Sequence, residues 1–373
     1  MPETRVYVGT YTTNGGEGIY LYTLDRETGA LRLTRTIIGV VNPSFLAMDA
    51  AHRFLYAVNE VDAYYGKPDG ALSAFSVDSG DGNLHFLNQR PSMGSAPCHI
   101  SLDKTDRVAL IANYGGGSIA TFRLDPDGKL GDCISHIRHH GSGPNLERQS
   151  APHAHCILVD PDNRHALAVD LGLDRILAYE LDPETGVLDP VAKISSHAKP
   201  GSGPRQMVFH PNGSWAYAVH ELESLITAYA YDRGTGSLRE LGSLPTLRIP
   251  MVNAPTPIPT RSKEGSKEEN YPACVQVDPR GRYLYVSNRG QDSIACYGIN
   301  ERDGTLTFRD CVPTGGKFPR HFSLDPEGRF LIAANQKSDC LTVFRIDAES
   351  GLPVPTEYTT KVPAPVCVLM ALI

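Results

Sequence analysis

Phe318-Pro319-Arg320-His321-Phe322-Ser323-Leu324-Asp325-Pro326-Glu327-Gly328-Arg329-Phe330-Leu331-Ile332-Ala333-Ala334-Asn335-Gln336 reads as a strand, an Asp-Pro-x-Gly-Arg turn and a second strand. Five more copies are centred on Asp49, Asp103, Asp160, His210 and Asp278. Ten positions after each anchor stands a polar residue: Asn59, Asn113, Asp170, His220, Asn288 and Asn335. Self-similarity at this period marks a repeat architecture. Each unit continues into a third alternating run, such as Ser118 to Phe122 or Ser293 to Tyr297, and a Gly-containing turn. A fourth run then begins at Leu84, Leu130, Leu188, Leu238 or Leu306. Period-two patterning of Val, Ile, Tyr, Phe and Leu between Gly, Asp and Pro clusters is the signal of strands. Four such strands per unit predict the blade of a β-propeller.

Six anchors give six complete blades, and the ends of the chain supply a seventh. Val6-Tyr7-Val8-Gly9-Thr10 matches the second strand of a unit, Gly18 to Leu24 the third and Leu31 to Ile37 the fourth. The missing first strand is Pro365-Val366-Cys367-Val368-Leu369. The expected fold is therefore all-β: a seven-bladed β-propeller of four antiparallel strands per blade, its first blade closed by the C-terminal strand. Such closure removes exposed strand edges. Residues 1–373 read as one propeller domain, interrupted by a long Pro-rich and charged insertion at about 245–272.

Composition narrows the function. The net charge of −7 disfavours nucleic acid as a partner. No apolar run reaches membrane-spanning length, and no basic-then-apolar leader is present. The eight Cys residues lack metal-type spacing, and Cys98, Cys156, Cys274, Cys296 and Cys367 fall within strand patterns. That usage fits a reducing cytoplasm rather than a disulfide framework. A monomer or weak homo-oligomer is expected, with a small molecule as partner.

Hairpin geometry places the chemistry. Residues just before the first strand and just after the second lie at one end of a blade, ringing one mouth of the central channel. Five positions before the anchors stand Ser44, Cys98, His155, Arg205, Ala273 and Arg320; eleven after stand Glu60, Tyr114, Leu171, Glu221, Arg289 and Gln336. A purely structural slot would carry one residue type in every blade. Here Arg205, Arg289 and Arg320 gather with His155 and Glu221, and with Glu60, His153 and Gln336 as further candidates. Three guanidiniums at one cavity repel each other unless an anion joins them. Arginine suits carboxylate or phosphate, and Glu and His are candidate proton carriers. Taken singly, Glu221 would be a structural ion-pair partner and His155 a hydrogen-bonded core histidine; the cluster favours function. Gly115-Gly116-Gly117 opens no helix and reads as a turn. His136, His139, His140, His153 and His155 lack an acidic ligand at fixed spacing, so no metal or other cofactor is expected. No Gly-x-Ser-x-Gly elbow is present.

Val8-Gly9-Thr10-Tyr11-Thr12, Asn42-Pro43-Ser44, Ala57-Val58-Asn59-Glu60, Ala112-Asn113-Tyr114, Pro152-His153-Ala154-His155, Gly203-Pro204-Arg205, His220-Glu221-Leu222, Ser287-Asn288-Arg289 and Phe318-Pro319-Arg320-His321 together resemble the seven-bladed propeller lactonase family. Bacterial propeller-type 6-phosphogluconolactonases and fungal 3-carboxy-cis,cis-muconate lactonizing enzymes belong to it. The resemblance implies catalytic roles for His155 (or His153), Arg205, Glu221 and Arg289. It implies lactone chemistry without choosing the lactone. The expected activity is hydrolysis of an anionic sugar-type lactone, 6-phosphogluconolactone first, with Arg320 as a second anion clamp. The rivals are a carboxymuconate-type cycloisomerase and a non-catalytic interaction propeller.

Overall fold

The computed structural model describes residues 3–190, 196–248 and 269–372. Its strands form seven antiparallel sheets. In blade 1 the sheet order is Pro365–Leu372, Thr4–Thr10, Gly18–Leu24, Leu31–Ile38. The closing pair runs in register from Thr4 with Leu372 to Gly9 with Cys367. Blades 2 to 7 follow in chain order, with inner strands Pro43–Met48, Pro97–Leu102, Ala154–Val159, Pro204–Phe209, Tyr271–Val277 and Pro319–Leu324. Each inner strand packs beside the next, and the last returns to Pro365–Leu372. In blade 4 the outer position is filled by Leu188–Pro190 and Ser196–His197, both paired with Arg175–Leu181. Most of the expected insertion, residues 249–268, lies outside the described residues; its flanks, Pro245 and Tyr271, end and begin strands of blades 5 and 6.

The anchor carboxylate explains the turn. Asp325 Oδ1 accepts the backbone N–H groups of Arg329 (2.6 Å) and Phe330 (2.7 Å). Asp49, Asp103, Asp160 and Asp278 hold the equivalent pairs. The third residue after the anchor has positive φ in all six copies: His52, Asp106, Asn163, Gly213, Gly281 and Gly328. Glycine or a short polar residue meets that demand most easily.

The second strands of the blades are buried on both faces. Phe330–Asn335 is buried along its whole length, as are Val108–Asn113 and His165–Asp170. Seven apolar clusters account for this, one between each pair of neighbouring blades. Val6 and Val8 face blade 7 beside Phe330 and Ile332, whereas Tyr7 and Ile19 face blade 2 beside Leu46 and Leu55. The period of two therefore sorts side chains between two neighbours rather than between core and water. Polar alternation is confined to outer strands such as Leu31–Ile38.

Candidate active site at the channel mouth

A recurring hydrogen bond sets the mouth. The backbone N–H eleven residues after an anchor donates to the carbonyl seven residues before it: Glu60 to Asn42, Tyr114 to Ala96, Leu171 to His153, Glu221 to Gly203 and Gln336 to Phe318. Tyr11 donates to Ala364 in the same way, which makes it the blade 1 member of the ring. Asn42, Ala96, Gly203, Phe318 and Ala364 all have positive φ before a proline, a conformation that turns the chain sharply into its inner strand. Phe318 (φ 62°) is the bulky exception among them and carries real strain. Its ring lies against both the Arg289 guanidinium (5.1 Å) and Lys337 (4.0 Å).

Glu221 is the hub. Arg148 Nη2 donates to its Oε1 at 2.6 Å, and Arg289 Nη2 to its Oε2 at 2.6 Å. Arg205 Nε lies 2.9 Å from Oε2 without being aimed at it. Arg205 donates Nη1 to the Ala273 carbonyl (2.5 Å), and Arg289 donates Nε to the Tyr271 carbonyl (2.9 Å). Burial alone would push the Glu221 carboxyl up, but the guanidiniums of Arg289, Arg205 and Arg148 hold it well below the usual carboxylate range. Burial brings Arg289 down to about 10 against the pull of Glu221.

Across the cavity, Arg320 sits 3.6 Å from Glu60 and stacks on Tyr11, whose hydroxyl donates to Glu60 Oε2 at 2.9 Å. His155 forms the floor, its Nδ1 3.6 Å from Cys98 Sγ. Burial, helped by Arg205, drives its pKa well below the ordinary imidazole value and leaves the ring neutral. The cavity enclosed by Glu60, Cys98, Tyr114, Arg148, His155, Glu221, Arg289 and Arg320 has a volume of about 210 Å³. Beneath it the channel narrows between Phe45, His99, Arg205 and His321.

The structure thus brings Glu221, His155, Arg289, Arg320 and Glu60 to the lining of one cavity, while Arg205, 2.9 Å from Glu221, lines the narrowing beneath it. His153 is placed differently. Its ring stacks on Tyr114 at 4.4 Å, and its Nδ1 meets the Tyr114 carbonyl at 3.0 Å, outside the cavity lining. Gln336 also stands off the lining; its buried Oε1 has no hydrogen-bond partner among the described residues. His139 belongs to a buried cluster, with Nδ1 2.6 Å from Asp170 Oδ2 and Nε2 2.9 Å from the Tyr179 hydroxyl. Asp170 in turn accepts the His153 N–H, fixing the segment that carries His155. Among the described residues no group of three or more His, Cys, Asp and Glu side chains is arranged to hold a metal ion. No helix among them is long and apolar enough to cross a membrane.

Two site residues escaped the reading of the sequence. Tyr11 occupies a ring slot in the one blade that has no anchor of the repeat, although Thr10-Tyr11 aligns with Asn113-Tyr114 and could have been counted. Arg148 sits on the excursion between blades 3 and 4, where the repeat offers no register.

Comparison with known proteins agrees with this architecture. A family model described as "Lactonase, 7-bladed beta-propeller" matches residues 5–370. A 6-phosphogluconolactonase of Bacillus subtilis is 37% identical over 363 residues, covering 97% of each chain. A 6-phosphogluconolactonase of Formosa agariphila is 31% identical, covering 85% of each. The solved periplasmic gluconolactonase of Pseudomonas aeruginosa superposes with a TM-score of 0.88 at 29% identity, covering 100% of both chains. With the ring, its closure and a full-length match in hand, the chain belongs to the lactonase family of seven-bladed β-propellers.

Proposed function

We propose that this lactonase opens a sugar-type lactone carrying a dianionic group, with 6-phosphogluconolactone as the favoured substrate. The observation that carries this reading is the charge of the cavity. Four guanidiniums (Arg148, Arg205, Arg289, Arg320) face two carboxylates (Glu60, Glu221). His155 is neutral, so two positive charges remain for a ligand to balance. A phosphate monoester matches that excess in charge and in its fit to arginine forks. Relatives named 6-phosphogluconolactonase support the same choice. Naming for lactone hydrolysis also favours ring opening over a cycloisomerase or an interaction propeller.

In the proposed reaction Glu221 takes a proton from water as its oxygen bonds to the lactone carbonyl carbon. Arg289 and Arg320, which face the cavity, stabilise the oxyanion and the substrate's anionic group. Arg205 holds Glu221 from beneath. Collapse of the intermediate breaks the bond to the ring oxygen, which receives the proton from Glu221. His155 borders the reacting centre as a neutral hydrogen-bonding group. Eight free thiols fit a cytoplasmic setting, and nothing in the acidic net charge calls for nucleic acid. Titration of released acid from 6-phosphogluconolactone and from unphosphorylated gluconolactone tests the reading. A preference of about 10² or more in kcat/KM for the phosphorylated lactone is expected; equal use of both would overturn the dianion assignment.

A further inference from the structure

The guanidiniums around Glu221 are not held alike. Arg205 and Arg289 are each tied to a backbone carbonyl, and each side chain is 6% exposed. Arg148 has no backbone acceptor among the described residues, and its side chain is 34% exposed. Its loop, by contrast, is firmly seated. Gln149 is fully buried and donates Nε2 to the Leu171 carbonyl and to Asp174 Oδ1, both at 2.8 Å. The Gln149 N–H closes the turn onto Asn145 at 2.7 Å. The backbone is fixed, while the arginine head is held by side chains alone, Glu221 first among them.

Arg148 also has room to move. It lines the cavity of about 210 Å³ and a neighbouring groove of about 650 Å³ bordered by Asn145, Lys199, Glu223 and Tyr271. Among the described residues it is the one side chain shared by the two, so it forms the partition between them. Its guanidinium lies 5.9 Å from the centre of the Tyr271 ring, an aromatic face along which it can slide. Of the two Glu221 oxygens, Oε2 is crowded by two buried arginines, whereas Oε1 is covered by Arg148 alone.

We propose that Arg148 is a substrate-displaced latch: the dianion of the bound lactone draws its guanidinium off Glu221 Oε1 and so frees that oxygen to accept the proton of the attacking water. The latch rests on the lactonase reading given above and adds a selection step to it. Removing one of three cations from a carboxylate raises its proton affinity, so the base gains strength only when an anionic substrate is present. A neutral lactone leaves Arg148 in place and meets a weaker base. The proton passes from water to Glu221 Oε1 and then to the ring oxygen as its bond to carbon breaks, with no further reactant needed.

The test separates the two substrate parts. Unphosphorylated gluconolactone is assayed with and without millimolar inorganic phosphite, in the wild type and in Arg148→Met, which keeps much of the stem and loses the charge. Phosphite is expected to raise wild-type turnover by at least about tenfold. Arg148→Met is expected to open gluconolactone faster than the wild type, to gain nothing from phosphite, and to show a raised KM for 6-phosphogluconolactone. An equal loss on both lactones in Arg148→Met, or no phosphite effect in the wild type, would overturn the latch. A crystal structure with inorganic phosphate reads the same movement without turnover. Arg148 bonded to the anion and parted from Glu221 supports the latch; an occupied anion site with Arg148 still on Oε1 refutes it. If the wild type opens neither lactone, the substrate reading falls, and the crystal alone decides the latch.

Discussion

Glu221 keeps its charge in a place where burial alone would remove it, because three guanidiniums surround it. Glu221→Gln keeps the shape and removes the proton acceptor proposed above, so turnover should fall by about 10² to 10⁴. The same change leaves buried arginines uncompensated, a loss of about 3–5 kcal/mol by precedent for broken buried pairs. It also raises the excess charge of the cavity. Phosphate should therefore bind the variant more tightly than the wild type and recover part of its melting temperature. Calorimetry finding weaker phosphate binding in Glu221→Gln would contradict the charge count. His99 and His321 give a second residue-scale expectation. Burial lowers both to about 3, and each ring accepts a backbone N–H at Nδ1, from Ile157 and Val368 respectively. Their folded values lie below the ordinary 6.5, so between these limits the unfolded chain binds protons that the folded chain refuses. Stability is then full above about pH 6.5 and declines as pH falls towards 3. Melting temperatures at pH 7.5 and pH 5 should show the drop, and His321→Gln should reduce it; an unchanged slope would exclude His321 as a source. These charged slots were legible because repeats expose unlike residues at like positions. Arg148 was not, since a side chain on a loop between repeats has no counterpart to differ from.

At the scale of the element, the hairpin turn depends on a buried carboxylate. Asp325 is 1% exposed and accepts two backbone N–H groups that no neighbouring carbonyl reaches. Asp325→Ala should cost about 1–3 kcal/mol for each donor left buried and unpaired. Asp347 serves an exposed turn of the same blade, accepting from Ser350, and its loss should cost far less because water can replace it. Urea unfolding of the two variants measures the difference; equal midpoints would mean that burial of the turn is not what matters. Strand existence and order were readable because Gly, Asp and Pro punctuate every run. What the strands face was not readable: Phe330–Asn335 is buried on both sides. Only the three-dimensional ring tells that a second blade covers the other face.

For the whole molecule, closure in blade 1 matters more than any single contact. Pro365–Leu372 contributes Val368 and Met370 to the cluster shared with blade 7 and Cys367 to the one shared with blade 2. Deleting residues from Pro363 onward should therefore open two of the seven interfaces at once. A marked fall in melting temperature is expected; an unchanged one would refute closure by that strand. The blade count was legible because Val6–Thr10 copies a second strand and lacks a first. The same pairing orders events in time. During synthesis Thr4–Thr10 emerges early, while its partner Pro365–Leu372 is made more than three hundred residues later. Throughout that interval the nascent chain holds an unpaired edge beside nearly finished blades, and a ribosome paused before Pro365 presents that edge to any strand that fits it.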